Sequence, residues 1–323
     1  MRDDRLHKTL AKARSLDQTR IDALDAGAGR ATYGQTIVQE LDTPHALSVF
    51  TGARGPAWSL NPYVGCAHRC AYCYVPDTLH AERHRWGQYV IVKRNLLAAL
   101  ARDLRTRTPA TTYLSTSTDP YQPVEAEHRL TRGSLRMLAD AGWPVDVLTR
   151  SPLILRDLDV LADVDTLRVG LSVPTLDDGV RAILEPGAPP IDARLKALAE
   201  LADAGFTTYA NYSPAHPWTG GYGPGDLAAT FADVGVQWIH VSGWHRQRTV
   251  LPVVRGRLAQ AGSEGLVPLM TDGAQEALHR DIEAAMTRVG IRVEHGFFNP
   301  PHPRPAPTPA PQGRLADAVS VDA

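Results

Sequence analysis

Three cysteines lie close together in the sequence, and the chain contains no others. Cys66, Cys70 and Cys73 are separated by three and then by two residues. One compact loop with this spacing brings three thiolates to a single inorganic centre. Because an iron–sulfur cubane normally takes four cysteines, three ligands leave one iron open to a substrate or cofactor. The spacing therefore predicts a centre that does chemistry.

The same thiols permit a structural zinc site, completed by His68, His80 or His84. Zinc motifs usually come as two such cysteine pairs, and this stretch holds one. The zinc interpretation implies a non-catalytic, zinc-dependent nucleic-acid-binding protein. The arginine-rich segment 83–107 supplies positive charge for that alternative, although a solvated helix face is the simpler explanation of the segment.

Composition limits the class of protein. Lys and Arg total 34 against 35 Asp and Glu, so net charge indicates no nucleic-acid or membrane partner. No apolar run approaches the roughly 20 residues of a membrane span, and the start of the chain is charged throughout. Clustered, unpaired cysteines favour a reducing compartment. We expect a cytoplasmic protein with no membrane partner.

Apolar β-branched runs alternate with helical patterns between residues 56 and 298, which predicts an α/β fold with a largely parallel sheet. Gly142, Gly205 and Gly235 each follow a helix end and precede a strand, as left-handed helix caps do. We predict a partial (β/α)6 TIM-like barrel, fewer units than the eight of a closed barrel. Its strands are predicted at 57–60, 111–116, 145–149, 167–172, 207–212 and 237–241.

Segments on both sides complete the predicted organisation. Residues 1–55 are expected to form an N-terminal extension, with one helix followed by an irregular stretch. Residues 299–323 are Pro- and Ala-rich and lack a periodic apolar face, which predicts a disordered C-terminal tail.

Polar residues follow the predicted strands. Because active sites of βα barrels gather at the C-terminal strand ends, we expect these groups to meet at one mouth. They are the cysteine loop 66–73, residues 115–119, 149–151, 211–213 and 240–245, and Ser172.

The cysteine spacing, with an aromatic residue before the last cysteine, resembles the radical S-adenosylmethionine (radical SAM) superfamily. Residues 61–63, Cys73-Tyr74 and 117–123 are similar to its subfamily related to spore photoproduct lyase, the DNA-repair-photolyase-like group. The similarity continues through Thr149-Arg150-Ser151 and covers roughly residues 57–215.

The resemblance implies a lyase-like enzyme with a [4Fe–4S] cluster and S-adenosyl-L-methionine (SAM) as cofactors. The free iron would chelate the amino and carboxylate groups of SAM. One electron from an external donor of the flavodoxin or ferredoxin type would then release a 5′-deoxyadenosyl radical. The substrate is unidentified, and nucleic acid is one candidate.

The resemblance also places cofactor contacts. Tyr72 would lie beside the adenine, and Ser172 and Asn211 are candidates for ribose and carboxylate contacts. The amino group would be held by the run after the second strand, which comprises Ser115, Thr116, Ser117, Thr118 and Asp119. A strand-to-loop turn is the simpler explanation of that run when it is taken without the cysteines.

Spore photoproduct lyase returns a hydrogen atom to its product from a further cysteine outside the cluster, and this chain has no fourth cysteine. We therefore do not expect thymine-dimer reversal, and we name Tyr121, Tyr212 and Tyr222 as candidate donors. Two other groups have open roles. Glu185 and Arg194 are expected to form an ion pair, while His240, Trp244 and His245 could shape a substrate pocket or pack beneath a loop.

Overall fold

The computed structural model describes most of the chain. His245, the helix predicted near the start of the chain and the predicted tail lie outside the described residues. The described residues are 31–33, 36–52, 55–217, 220–244, 247–263, 265–266 and 272–295.

A sheet of eight strands forms the centre of the protein. Its strands stand in the spatial order β12-β11-β10-β9-β8-β7-β4-β3, and every neighbouring pair is parallel except β3 with β4. The strands are β3 (Leu47–Gly52), β4 (Gly55–Leu60), β7 (Thr112–Leu114), β8 (Val145–Thr149), β9 (Leu167–Ser172), β10 (Thr208–Tyr212), β11 (Trp238–Val241) and β12 (Arg292–His295).

Helices connect the strands, and their apolar faces pack on the sheet. The six central strands each contribute to one buried core, through Leu60, Leu114, Val147, Leu171, Ala210 and Ile239. The helices are α1 (Val75–Leu79), α2 (Leu96–Thr106), α3 (Glu125–His128), α4 (Leu130–Asp140), α5 (Leu158–Ala162), α6 (Asp178–Leu184), α7 (Ile191–Asp203), α8 (Pro224–Asp233), α9 (Gln247–Gln260) and α10 (Asp272–Arg288).

A second sheet has four strands. It has the order β1-β2-β6-β5, with β2 and β6 parallel and the outer pairs antiparallel. Its strands are β1 (Ala31–Tyr33), β2 (Thr36–Leu41), β5 (Tyr63–Val64) and β6 (Tyr89–Lys93). The cysteine loop begins where β5 ends.

The predicted fold class is confirmed: all six predicted strands are present and parallel, and the barrel is not closed within the described residues. Gly142, Gly205 and Gly235 have positive φ angles after α4, α7 and α8, as predicted. The irregular stretch predicted before residue 55 is wrong for 36–41 and 47–52, which are strands.

The predicted domain boundary at residue 55 falls within the β3–β4 hairpin. Pairing with β4 therefore ties the preceding segment to the main sheet. A membrane-spanning helix, long and apolar enough to cross a bilayer, is not found among the described residues.

Candidate active site

One cavity at the C-terminal ends of the strands brings together the three cysteines and every residue predicted to contact the cofactor. Its wall includes the cysteine loop, the residues after β7 and the C-terminal residues of β9 and β10. The predicted residues that line it are Cys66, Cys70, Tyr72, Cys73, Ser115, Thr116, Ser117, Thr118, Asp119, Ser172 and Asn211. Parallel strands that end at one edge explain this convergence.

The loop after β7 holds the start of the cysteine loop through hydrogen bonds. The carbonyl of Gly65 accepts from the Thr118 hydroxyl at 2.6 Å and from the Gln122 amide at 3.2 Å. The Ala67 amide donates to Oε1 of Gln122 at 3.0 Å. The polar run that sequence analysis assigns to the cofactor therefore also fixes the cysteine loop.

The segment after α6 holds the same loop from its other side. The Ala71 amide donates to the Leu184 carbonyl at 2.7 Å, and the Gly187 amide donates to the His68 carbonyl at 3.0 Å. At Gly187 the two backbones touch so closely that a Cβ would lie 2.1 Å from the Ala67 carbonyl oxygen. The cysteine loop is thus clamped between two segments that are distant in sequence.

Asp119 links the cysteine loop to the end of β8. Its carboxylate accepts from the Thr149 hydroxyl at 2.6 Å and the Arg150 amide at 2.8 Å. Its Oδ2 lies 3.2 Å from Nε2 of the buried His68. Burial alone would raise the pKa of Asp119, but His68, Thr149 and Arg150 outweigh it and lower the pKa to about 2. Asp119 is therefore an ionised, fully engaged carboxylate.

Tyr72 is held by a buried ionic network. Its hydroxyl donates to Glu185, whose carboxylate also receives Nε of Arg150 at 3.1 Å and Nη2 of Arg194 at 2.5 Å. The predicted Glu185–Arg194 ion pair is confirmed and is buried. The ring of Tyr72 packs edge-on against Trp244, with ring centroids 5.9 Å apart. The network presents one fixed face of Tyr72 to the cavity.

The three thiols share one electrostatic environment. Burial raises the pKa of Cys66 to about 12, and Asp119 and Cys73 contribute to the rise. Burial also raises the pKa of Cys70 and Cys73. Arg150 opposes these shifts, and it is the only cationic side chain among the described residues lining the cavity. Thiols that repel one another's ionised form gain most from a shared cationic metal centre, which ionises its thiol ligands.

Two residues beside the thiols were missed by sequence reasoning. Arg150 was noted only as part of the motif 149–151, although its position directly after a strand end was a usable signal. Trp86 lines the same cavity as Cys73. No local pattern marks that position, because it depends on how β6 and the cysteine loop pack.

Other strand ends that line the cavity carry hydroxyl and amide groups. The Asn211 amide donates to the Ser172 hydroxyl at 3.3 Å, and the Ser213 and Ser242 hydroxyls lie 2.5 Å apart. All four side chains line the cavity. They form a neutral polar wall that can accept or donate hydrogen bonds to a ligand.

Part of the cavity lining is aromatic and acidic. Tyr209 donates its hydroxyl to Asp146 at 2.6 Å, and both of these buried residues line the cavity. The Tyr209 ring covers Gly170, where a Cβ would lie 2.6 Å from the ring. Asp146 also pairs with Arg168, so its charge is balanced within the protein.

The tyrosines and aromatic residues named from the sequence occupy other places. Tyr121 and Tyr212 are buried and are not among the described lining residues, whereas Tyr222 is 45% exposed. His240 contacts Glu294 and Arg168 on the strands, away from the cavity lining. His245 lies outside the described residues.

The described residues do not form an assembled zinc site. His68 is held between Asp119 and the Gly187 carbonyl, and His80 and His84 are exposed. No three His, Cys, Asp or Glu side chains in the described part of the chain are arranged around a single ion. Cysteines that bind a cluster do not need to surround a single ion, because each one binds a different iron.

Arginines of the segment 83–107 contact other groups of the protein. Arg83 pairs with Asp77 at 2.8 Å, and Arg94 pairs with Asp42 at 2.8 Å. Arg102 donates to the Pro44 carbonyl. Its nucleic-acid role remains an untested prediction.

With this geometry in place, comparison with known proteins identifies the central region. Residues 60–216 match the model of the Radical SAM superfamily. The chain contains a radical SAM domain. The domain spans the cysteine loop, the polar run after β7 and the strand ends with Ser172 and Asn211, and the predicted superfamily resemblance is confirmed.

Relatives of the radical SAM domain share part of their length with this chain. An uncharacterized protein of Methanocaldococcus jannaschii is 31% identical over 164 residues, which cover 50% of this chain and 62% of that protein. The radical SAM Nalpha-GlyT isomerase of Pseudomonas phage M6 is 28% identical over 165 residues, 48% of this chain and 32% of the isomerase. The chain thus spans less than two thirds of either relative.

A solved structure shows the same fold. Spore photoproduct lyase complexed with dinucleoside spore photoproduct has a TM-score of 0.59 with this chain. The alignment covers 80% of this chain and 82% of that one, at 15% sequence identity. At this identity the likeness shows the fold and leaves the reaction to be argued from the site.

Proposed function

We propose that this protein is a radical SAM enzyme whose three cysteines hold a [4Fe–4S] cluster beside a SAM pocket. One observation carries the proposal: Cys66, Cys70 and Cys73 line the same cavity as the polar strand ends. A purely structural metal site needs no adjoining cavity, whereas a catalytic centre needs an open ligand position and room for a substrate.

When bound, the cluster would supply the electron that splits SAM into methionine and a 5′-deoxyadenosyl radical able to take hydrogen from substrate. The chain's own residues would bind and orient the cofactor. Arg150 offers a positive charge to the SAM carboxylate, and Tyr72 offers a fixed aromatic face to the adenine. Ser172 and Asn211 would contact the ribose or carboxylate, while residues 115–118 would hold the amino group and Asp119 would hold Arg150 and the cysteine loop in place.

The substrate would enter the part of the cavity away from the cysteines. Phe50, Tyr113 and Tyr209 give that part an aromatic lining, with Ser213 and Ser242 as hydrogen-bonding groups. A planar, polar-edged ligand such as a nucleobase suits this combination, because aromatic side chains stack on bases. Nucleic acid is therefore our candidate substrate class, and an external flavodoxin- or ferredoxin-type protein is the candidate electron donor.

The test is anaerobic reconstitution with iron and sulfide, followed by dithionite reduction in the presence of SAM. We expect methionine and 5′-deoxyadenosine in equal amounts from the wild-type chain. Cys70→Ala should form neither product, while Ser48→Ala, on the exposed edge strand β3, should match the wild type. A fully assembled cluster that yields no 5′-deoxyadenosine would refute the proposal.

Metal analysis of the anaerobically purified protein decides between the proposal and the zinc hypothesis. Iron with acid-labile sulfide supports the enzyme. Stoichiometric zinc without sulfide would support a non-catalytic nucleic-acid-binding protein instead.

A further inference from the structure

Helix α9 carries positive charge beside the cysteine loop. Residues 241–263 contain four arginines and no Asp or Glu, whereas the whole chain has nearly equal numbers of basic and acidic residues. Within α9, Arg248 and Arg255 are exposed to solvent. Arg248 lies in the first turn of the helix, where a positive charge is unfavourable because it meets the positive end of the helix dipole. Helix stability therefore does not explain this placement.

The apolar face of α9 packs on the cysteine loop. Val250 and Val254 belong to one buried apolar cluster with Ala71 and Tyr72, and Cys70 packs against this cluster. An α-helix with its side chains is about 10–12 Å across. A protein that binds the exposed face of α9 is therefore separated from the cysteine loop by the width of one helix.

The start of α9 adjoins the 3-10 turn Arg83–Arg85. The Thr249 hydroxyl donates to Oδ2 of Asp77 at 2.5 Å, and Nη2 of Arg83 lies 2.8 Å from the same oxygen. Nη1 of Arg83 donates to the Cys73 carbonyl at 2.8 Å. Arg83 therefore connects the surface beside α9 directly to the backbone of a second cysteine.

Arg83, Arg248 and Arg255 together are called the basic face. None of the three lines the cavity. The cavity lining has one cationic side chain among the described residues, Arg150, and is otherwise neutral or acidic. A substrate must reach the cavity, whereas an electron donor needs only to come close to the cluster. This arrangement favours a protein that delivers electrons over a nucleic acid that enters the cavity.

We propose that the basic face is the docking surface for an acidic one-electron donor protein of the flavodoxin or ferredoxin type. The inference rests on the proposed function. The donor loses one electron and the cluster gains it, so no atom is transferred. Opposite charges steer such partners together and raise the rate of encounter. Because electron-transfer complexes commonly have small interfaces, a few arginines beside the cluster are sufficient.

The first test measures binding without turnover. A 15N-labelled flavodoxin is titrated with the reconstituted chain at low salt and followed by NMR. Arg248→Glu/Arg255→Glu places like charges in the interface and should raise the Kd about tenfold or more. The control is Arg105→Glu/Arg288→Glu, which should keep the wild-type Kd. These exposed arginines lie in the last turns of α2 and α10, which lead into strands and so end at the opposite edge of the sheet. Equal Kd values for all three chains would overturn the inference.

The second test measures electron delivery separately from SAM cleavage. Reduction of the cluster is followed by stopped-flow absorbance and electron paramagnetic resonance (EPR), once with reduced flavodoxin and once with dithionite. Flavodoxin should reduce Arg248→Glu/Arg255→Glu about tenfold or more slowly than the wild type, because steering is lost. Dithionite, a small molecule, should reduce both chains at the same rate. Added salt should slow the reduction of the wild type by flavodoxin, because it screens the opposite charges.

The remaining outcomes also decide the matter. Loss of single-stranded DNA binding in Arg248→Glu/Arg255→Glu, with flavodoxin-driven reduction unchanged, would overturn the inference and assign the basic face to nucleic acid. A wild-type cluster that dithionite reduces, but that neither a flavodoxin nor a ferredoxin reduces, would overturn the inference alone. A wild-type chain that takes up no iron and sulfide would overturn the proposed function and the inference with it.

Discussion

At the scale of single residues, Asp119 connects parts of the chain that are far apart in sequence. It accepts from Tyr121, Thr149 and Arg150 and lies beside His68 of the cysteine loop. The sequence marks Asp119 as a candidate for the cofactor's amino group. The structure shows its oxygens engaged with the protein, so we now propose that its contribution is to hold Arg150 and the cysteine loop in register.

Replacing Asp119 with Asn should lower the free energy of unfolding by about 2–4 kcal/mol, because buried donors then lose a charged acceptor. Asp192→Asn is the matched control, since its pair with Lys196 is exposed and worth at most about 1 kcal/mol. Chemical denaturation of both variants measures the difference. Equal stabilities would contradict the role assigned to Asp119.

The low pKa of Asp119 also predicts a pH dependence. Its folded pKa of about 2 lies below the usual value of 3.8, so its stabilisation is complete above about pH 4. That stabilisation is lost as the pH falls from about 4 towards 2. The difference in unfolding free energy between wild type and Asp119→Asn should become smaller over this pH range. A constant difference would contradict the low pKa of Asp119.

Arg150 is the residue on which the cofactor pocket's charge depends. Arg150→Lys keeps the charge but loses the planar pair of donors that binds carboxylates. One lost hydrogen bond to a charged group predicts a rise of about tenfold or more in KM for SAM, with iron content unchanged. Arg136→Lys, in an exposed ion pair, is the control. An unchanged KM for SAM in Arg150→Lys would show that Arg150 does not bind the SAM carboxylate.

At the scale of elements, the cysteine loop is positioned by neighbours on both sides. The loop after β7 and the segment after α6 each donate to it or accept from it, and α9 packs Val250 and Val254 near Tyr72. A loop with three cysteines could otherwise adopt many conformations. These contacts indicate that the ligand geometry is largely formed by the fold.

Gly187→Ala tests this clamp. The added Cβ would collide with the Ala67 carbonyl, so the cysteine loop must shift. We expect a lower iron content after reconstitution and a loss of about 1–3 kcal/mol in unfolding free energy. Gly256→Ala within α9 meets no atom within 4 Å and should retain both. Full iron loading of Gly187→Ala would show that the contact does not hold the loop.

At the scale of the whole molecule, the sequence reveals the repeating part of the fold and misses the pairings between distant segments. Alternation of apolar runs with amphipathic helices identifies the six central strands. β12 is missed because its residues, Arg292–His295, are mostly polar. β2 is missed because it pairs with β6, where Ile37 stands opposite Tyr89, and no local pattern encodes that partner.

The site divides in the same way. The cysteine spacing and the polar strand ends can be read from the chain, because parallel strands place their C-terminal ends together. The position of Trp86 in the cavity wall and the convergence of Arg150, Arg194 and Tyr72 on Glu185 depend on tertiary packing. Sequence reasoning therefore finds the groups that do chemistry more readily than the groups that position them.

The most direct measurement is EPR of the dithionite-reduced, reconstituted chain before and after addition of SAM labelled with 15N in its amino group. Three cysteine ligands leave one iron for the cofactor, so SAM should change the spectrum and introduce a 15N coupling. Cys70→Ala should show neither effect. A reduced cluster whose spectrum is unchanged by saturating SAM, without 15N coupling, would contradict the account.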